Sequence, residues 1–126
     1  VSITHKELRE IVSNNELSWK LALSYIKAVY VITDTKTGKL YIGSASGNSQ
    51  GLWQRWECYA DFKDLTGENK EFEVLVKENG ENYIANNFKY SILEIFDTKT
   101  RKEYILEREN YWKNVFETKK FGMNRN

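Results

Sequence analysis

The stretch Ala28-Val29-Tyr30-Val31-Ile32, followed across Asp34-Thr35-Lys36-Thr37-Gly38-Lys39 by Leu40-Tyr41-Ile42-Gly43, decides how this chain folds. β-Branched and aromatic side chains dominate both halves, and Thr37-Gly38-Lys39 supplies turn chemistry between them, so the pair reads as a β-hairpin. Strand side chains alternate between faces, and a short turn fixes the register. Tyr30 and Tyr41 can therefore share one face. Two phenols side by side hint at proton handling, although a tyrosine in a strand is more often packing.

N-terminal to the hairpin, Thr4-His5-Lys6-Glu7 has the form of a capping box, with Leu8, Ile11 and Val12 following at helical spacing. Asn14-Asn15 breaks that helix, and Glu16 to Ile26 forms a second amphipathic stretch. Residues 1–27 are thus expected to be a helical extension packing on a main unit of residues 28–126. His5 is expected at a helix start on the surface. Beyond the hairpin, the small-residue loop Ser44 to Ser49 leads into a helix from Gln50 to Ala60 that carries Arg55. Asn69 is placed to cap a helix containing Phe72, Leu75 and Val76, ended by Asn79-Gly80. Phe88 to Phe96 reads as the longest strand, and Thr100-Arg101-Lys102-Glu103 as a capping box opening a helix that runs to about Thr118. The fold class is α/β (α+β).

Composition narrows the classes. The chain has 126 residues, 40% hydrophobic and 29% charged, which suits one globular domain. It holds no apolar run near the length of a membrane span, and its single cysteine, Cys58, rules out an internal disulfide framework. A reducing, cytoplasmic setting is the expectation, with no membrane partner. The start at Val1 points to a processed piece, and so to further domains of a longer protein. Net charge is only +1, but it is unevenly spread. Residues 99–126 carry eight basic and four acidic side chains, residues 64–98 three basic and eight acidic. The C-terminal part can meet phosphates, and a solvated lysine-rich helix end explains it equally well.

The last helix yields the sharpest inference from the residues themselves. At about 100° per residue, Ile105, Trp112 and Phe116 mark its apolar stripe, and Glu109 projects within about 40° of Ile105. Glu107 falls on the opposite, solvent side. A carboxylate that points inward has to be paired, protonated or bound to a cation. An ion pair with Arg55 or another arginine at the edge of the core and a functional role stand as equal alternatives at this point.

Taken together, Ala28-Val29-Tyr30, Tyr41-Ile42-Gly43, Arg55, the run Glu107-Arg108-Glu109-Asn110-Tyr111-Trp112 and Gly122-Met123-Asn124 resemble the GIY-YIG nuclease family over residues 28–126. The first motif is a variant that keeps its tyrosine. The second is intact, the five elements stand in the family's order, and the spacings of the two tyrosines and of Glu109 to Asn124 are like those of the family's intron-homing branch. The resemblance implies a three-stranded antiparallel sheet flanked by helices and metal-dependent cleavage of a DNA phosphodiester. It implies one Mg²⁺ or Mn²⁺ held by Glu109, and Arg55 on the phosphate oxygens. It further implies a tyrosine general base, its pKa lowered by the metal and the arginine. Tyr30 is assigned that role, with Tyr41 ordering water and phosphate. Tyr59 falls near the scissile phosphate and Asn124 orients the site. Where some relatives follow the second motif with a lysine, this chain has Ser44, which removes one cation; Lys39 or a residue of 99–126 is left to replace it.

A non-catalytic nucleic-acid-binding module on the same fold is the competing class, motivated by the near-neutral charge. A catalyst should bring Tyr30, Tyr41, Arg55 and Glu109 around an open cavity, with Glu109 unpaired or metal-bound. A binder can hold Glu109 against Arg55. The weak net charge also implies modest, poorly sequence-selective grip on DNA.

Overall fold

A computed structural model describes residues 1–62 and 70–125 of the chain. Strand β1 (Ser2–Thr4) precedes helices α1 (His5–Ser13) and α2 (Leu17–Ser24), then the hairpin β2 (Lys27–Asp34) and β3 (Leu40–Ala45). Helices α3 (Gly51–Asp61), α4 (Lys70–Asn79) and α5 (Glu81–Asn87) lead to β4 (Phe88–Phe96), and α6 (Lys102–Phe116) and α7 (Thr118–Phe121) follow. The strands form one antiparallel sheet in the order β1-β4-β2-β3. The expected three-stranded sheet is therefore corrected to a four-stranded one. β1 pairs with Lys89 to Ser91 on the outer edge of β4, and three residues are too few to show an alternation.

The hairpin forms as read. Asp34 organises its turn: the Asp34 carboxylate accepts from the backbone of Lys36 at 3.0 Å, and Gly38 takes φ +80°, a region glycine enters without penalty. Tyr30 lies opposite Gly43 and Ile32 opposite Tyr41, so both tyrosines occupy the face shared by Ala28, Ile32 and Ala45. That face packs on a core of Leu52, Trp53, Trp56 and Tyr59 from α3 and Phe72 and Leu75 from α4. Leu8, Ile11 and Leu23 of the two N-terminal helices enter the same core. Burial of side chains this size contributes roughly 1.5–3 kcal/mol each. Val29, Val31 and Ile42 point the other way, onto Ile105 and Trp112 of α6. Between Val29 and Tyr30 the register with β4 slips, as β-bulges do where a strand has to re-aim a side chain.

Several local readings change. α1 has its complete capping box at Thr4 and Glu7, but His5 is fully buried rather than on the surface. Its Nδ1 lies 2.8 Å from the Tyr90 hydroxyl and its ring stacks on Phe62, because the helix lies flat against the core. The capping box at Thr100 does not form: α6 starts after Arg101 with no side-chain cap, and the Thr100 carbonyl accepts from Lys27 Nζ instead. α6 stops at Phe116, one residue before Glu117 turns to φ +47°. Phe116 is 39% exposed and stacks on Trp112, so the buried stripe runs through Ile105, Glu109 and Lys113. The cap proposed at Asn69 lies outside the described residues.

Burial pulls the pKa of His5 from 6.5 down to about 4, so the folded chain holds it neutral. The unfolded chain then binds the extra proton between those values, and stability present above pH 6.5 is lost as the pH falls toward 4. Urea denaturation at pH 6.5 and 4 should show the native chain losing on the order of 3 kcal/mol more than a His5→Asn variant. Equal losses in the two proteins would remove His5 as the cause.

Candidate active site

β3 is an edge strand, and the site is built around that edge. Tyr30 approaches from one face of the sheet and Glu109, on α6, from the other. They can meet because position 43 has no side chain: a Cβ there would lie 2.6 Å from the Tyr30 Cζ and hydroxyl oxygen. Tyr30 thus crosses over Gly43 into a cavity of about 280 Å³. Tyr41, Arg55, Tyr59 and Glu109 also line it, so the structure gathers five of the six residues singled out from sequence. The sixth, Asn124, is buried and does not line the cavity. Its carboxamide accepts from Ile42 N at 2.8 Å and donates to Ile42 O at 3.0 Å, clamping the strand between Tyr41 and Gly43.

α3 presents Arg55 and Tyr59 one turn apart. The guanidinium donates to the Tyr59 hydroxyl, and the Tyr59 and Tyr30 hydroxyls share a hydrogen bond of 2.5 Å. The Tyr41 hydroxyl is bonded to the Glu71 carboxylate. Burial raises the pKa of Tyr30 and Tyr41 well above the ordinary 10 and raises that of Tyr59 too. Arg55 pulls Tyr30 and Tyr59 in the opposite direction but does not offset burial. In the chain by itself the arginine thus acts in the expected direction on both phenols while burial outweighs it; the expectation rests on the arginine and a metal ion together.

Glu109 accepts a short hydrogen bond from the Ser44 hydroxyl on Oε1, and its Oε2 is 2.9 Å from Lys113 Nζ. The ion pair is therefore made with Lys113, one turn along its own helix. Lys102, Leu106, Glu109 and Lys113 form one stripe of α6 facing the cavity. Sequence reading missed Lys113, although the i,i+4 spacing from Glu109 was there to see. Glu71 had no such signal. It reaches the cavity from the start of α4, whose placement no local pattern fixes. Lys39 is not among the lining residues, whereas Lys102 and Lys113, both from the 99–126 segment, are.

Among the described residues, no group of three or more His, Cys, Asp or Glu side chains is placed to enclose a metal ion. The donor set nonetheless suits a hard cation that keeps most of its waters: a carboxylate and a hydroxyl at an open cavity. Glu109 already has a positive charge beside it, that of Lys113.

The sequence profile of the GIY-YIG catalytic domain matches residues 26–124. Among solved structures, a mutant of the catalytic domain of intron endonuclease I-TevI is similar at 25% identity and a TM-score of 0.58, over 80% of this chain and 94% of that one. The catalytic domain of homing endonuclease I-TevI is similar at 28% identity and a TM-score of 0.54, over 78% and 96% respectively. No curated protein matches the chain.

Gly43→Ala should force Tyr30 out of its place, since the added methyl would overlap the hydroxyl end of its ring. A loss of about 1–3 kcal/mol in chemical denaturation is expected, with a shift in the Tyr30 ring resonances by NMR. An unperturbed ring would show that position 43 tolerates a side chain.

Proposed function

The chain belongs to the GIY-YIG family of nuclease domains, and from that premise we propose that it is a metal-dependent endonuclease acting on DNA at the cavity beside β3. The observation that carries this reading is the convergence of Tyr30, Tyr41, Arg55, Tyr59 and Glu109 on one open cavity, from opposite faces of the sheet. A phosphodiester needs a nucleophilic water, a counter-charge for the oxyanionic transition state, and help for the departing 3′ oxygen. Arg55 supplies delocalised positive charge in a fork that matches phosphate oxygens. Glu109, with Ser44 beside it, would hold a single Mg²⁺ or Mn²⁺, which when bound polarises the phosphate and neutralises the leaving oxygen.

Tyr30 is the general base in this reading. Its hydroxyl lies over Gly43 at the cavity and shares a hydrogen bond with Tyr59, itself bonded to Arg55, and it is the charge of Arg55 that favours a phenolate there. Tyr41 orders the water and the phosphate, with Glu71 fixing the direction of its hydroxyl. Asn124 positions rather than reacts, through the backbone of Ile42. A binding module without catalysis is the second reading, and the pairing of Glu109 with Lys113 is what favours it.

Supercoiled plasmid incubated with Mg²⁺ or Mn²⁺ decides between them. The native chain should nick it, a chelator should stop the reaction, and Glu109→Gln and Tyr30→Phe should slow it by roughly 10²-fold or more. Because burial holds the Tyr30 pKa high, the rate should climb about tenfold per pH unit between pH 6.5 and 8.5 without a plateau. Equal nicking by all three proteins would place the chemistry elsewhere, and DNA binding without nicking would leave the binding module.

A further inference from the structure

The ion pair between Glu109 and Lys113 is not a surface pair. The two side chains are 17% and 8% exposed, and the carboxylate is bonded on both oxygens, to Ser44 on one and to the ammonium at 2.9 Å on the other. In water such a contact contributes little; removed from water, each charge depends on the other. Yet Lys113 also borders the cavity, so its ammonium can leave the carboxylate without being driven into an apolar core. A cation taking a lone pair of Glu109 would come within a few ångströms of that ammonium, where like charges repel.

We propose that Lys113 is a resident counter-cation: it holds the place on Glu109 that a divalent ion would occupy, and the ion binds only by displacing it. This rests on the reading of Glu109 as the ion's anchor. The helix gives the ammonium a short route, because Lys113 sits one turn from Glu109 on the stripe of α6 that faces the cavity. There a DNA phosphate can receive the charge that Glu109 gives up. Without a divalent ion, Lys113 keeps a partly buried carboxylate compensated. That is a reason for the chain to fold the same way before and after the ion arrives. Lys113 acts through Glu109, and it is a positioning residue in this scheme.

The test is direct titration of the free protein with Mn²⁺, followed by electron paramagnetic resonance, for the native chain, Lys113→Met, Lys113→Arg and Glu109→Gln. Lys113→Met should bind Mn²⁺ at least about tenfold more tightly than the native chain, because the competing charge is gone. Lys113→Arg should stay near the native affinity, and Glu109→Gln should lose the site. A residue that only braced the helix would weaken binding when removed. Unchanged or weaker binding by Lys113→Met, with Glu109→Gln still losing the site, would overturn the role of Lys113 alone. Native-like binding by Glu109→Gln would overturn the anchor and this proposal with it. Should Lys113→Met fail to fold, the native chain answers by NMR. The Lys113 Nζ resonance should move toward that of a solvated ammonium on saturation with Mg²⁺, and an unchanged resonance would overturn the proposal.

Discussion

The approach of the Tyr30 ring to the backbone of Gly43 is the contact on which the site depends. A sheet separates what lies on its two faces, and in this chain the tyrosines belong to one face and Glu109 to the helix on the other. Chemistry shared between the faces has to happen round an edge. β3 is that edge, and removing a single side chain from it lets a phenol cross. The register slip beside Tyr30 and the clamp of Asn124 on Ile42 both bear on the same few residues of backbone. Position, more than any one side chain's reactivity, is what the fold supplies.

How much of this was legible in the sequence depended on how local the signal was. The hairpin, the long strand and the helices around Arg55 and Glu109 announce themselves through alternation, turn residues and helical spacing. Glu109 was placed facing the core from geometry alone, and it does so at the cavity's border. β1 was invisible because pairing, not pattern, makes a strand of Ser2–Thr4. His5 was misplaced because a helix-start position says nothing about which side of the first turn meets the core. Thr100 failed as a cap because α6 starts one residue later, which puts Arg101 in the N-cap position. Glu71 and Lys113 join the site through tertiary placement, and only the second left a trace, in its spacing from Glu109.

The overall charge of the chain gives a poor picture of its cavity. A net charge of +1 averages an acidic middle with a basic end. The lining of the cavity holds Arg55, Lys102 and Lys113 against Glu71 and Glu109. Opposite charges are interleaved there at short range, so the local field is set by which pairs are made and which are broken. Salt screens distant surface charges, but partly buried pairs much less. Tyr30 and Tyr41 sit in this setting with their protons held tightly by burial, and only added positive charge favours letting go.

Asn124 has a consequence outside the cavity. An exposed outer strand carries unpaired N–H and C=O groups and is a template for another chain. On β3, the carboxamide of Asn124 fills both hydrogen-bonding positions of Ile42, as the backbone of a neighbouring strand would, and Met123 N donates to Leu40 O at 2.8 Å. The C-terminal segment therefore acts as a false strand. It covers the part of the edge next to the cavity against self-association while leaving the next two residues, Gly43 and Ser44, to face the cavity. The same amide that steadies the site also helps to keep the protein from adding copies of itself along this edge strand.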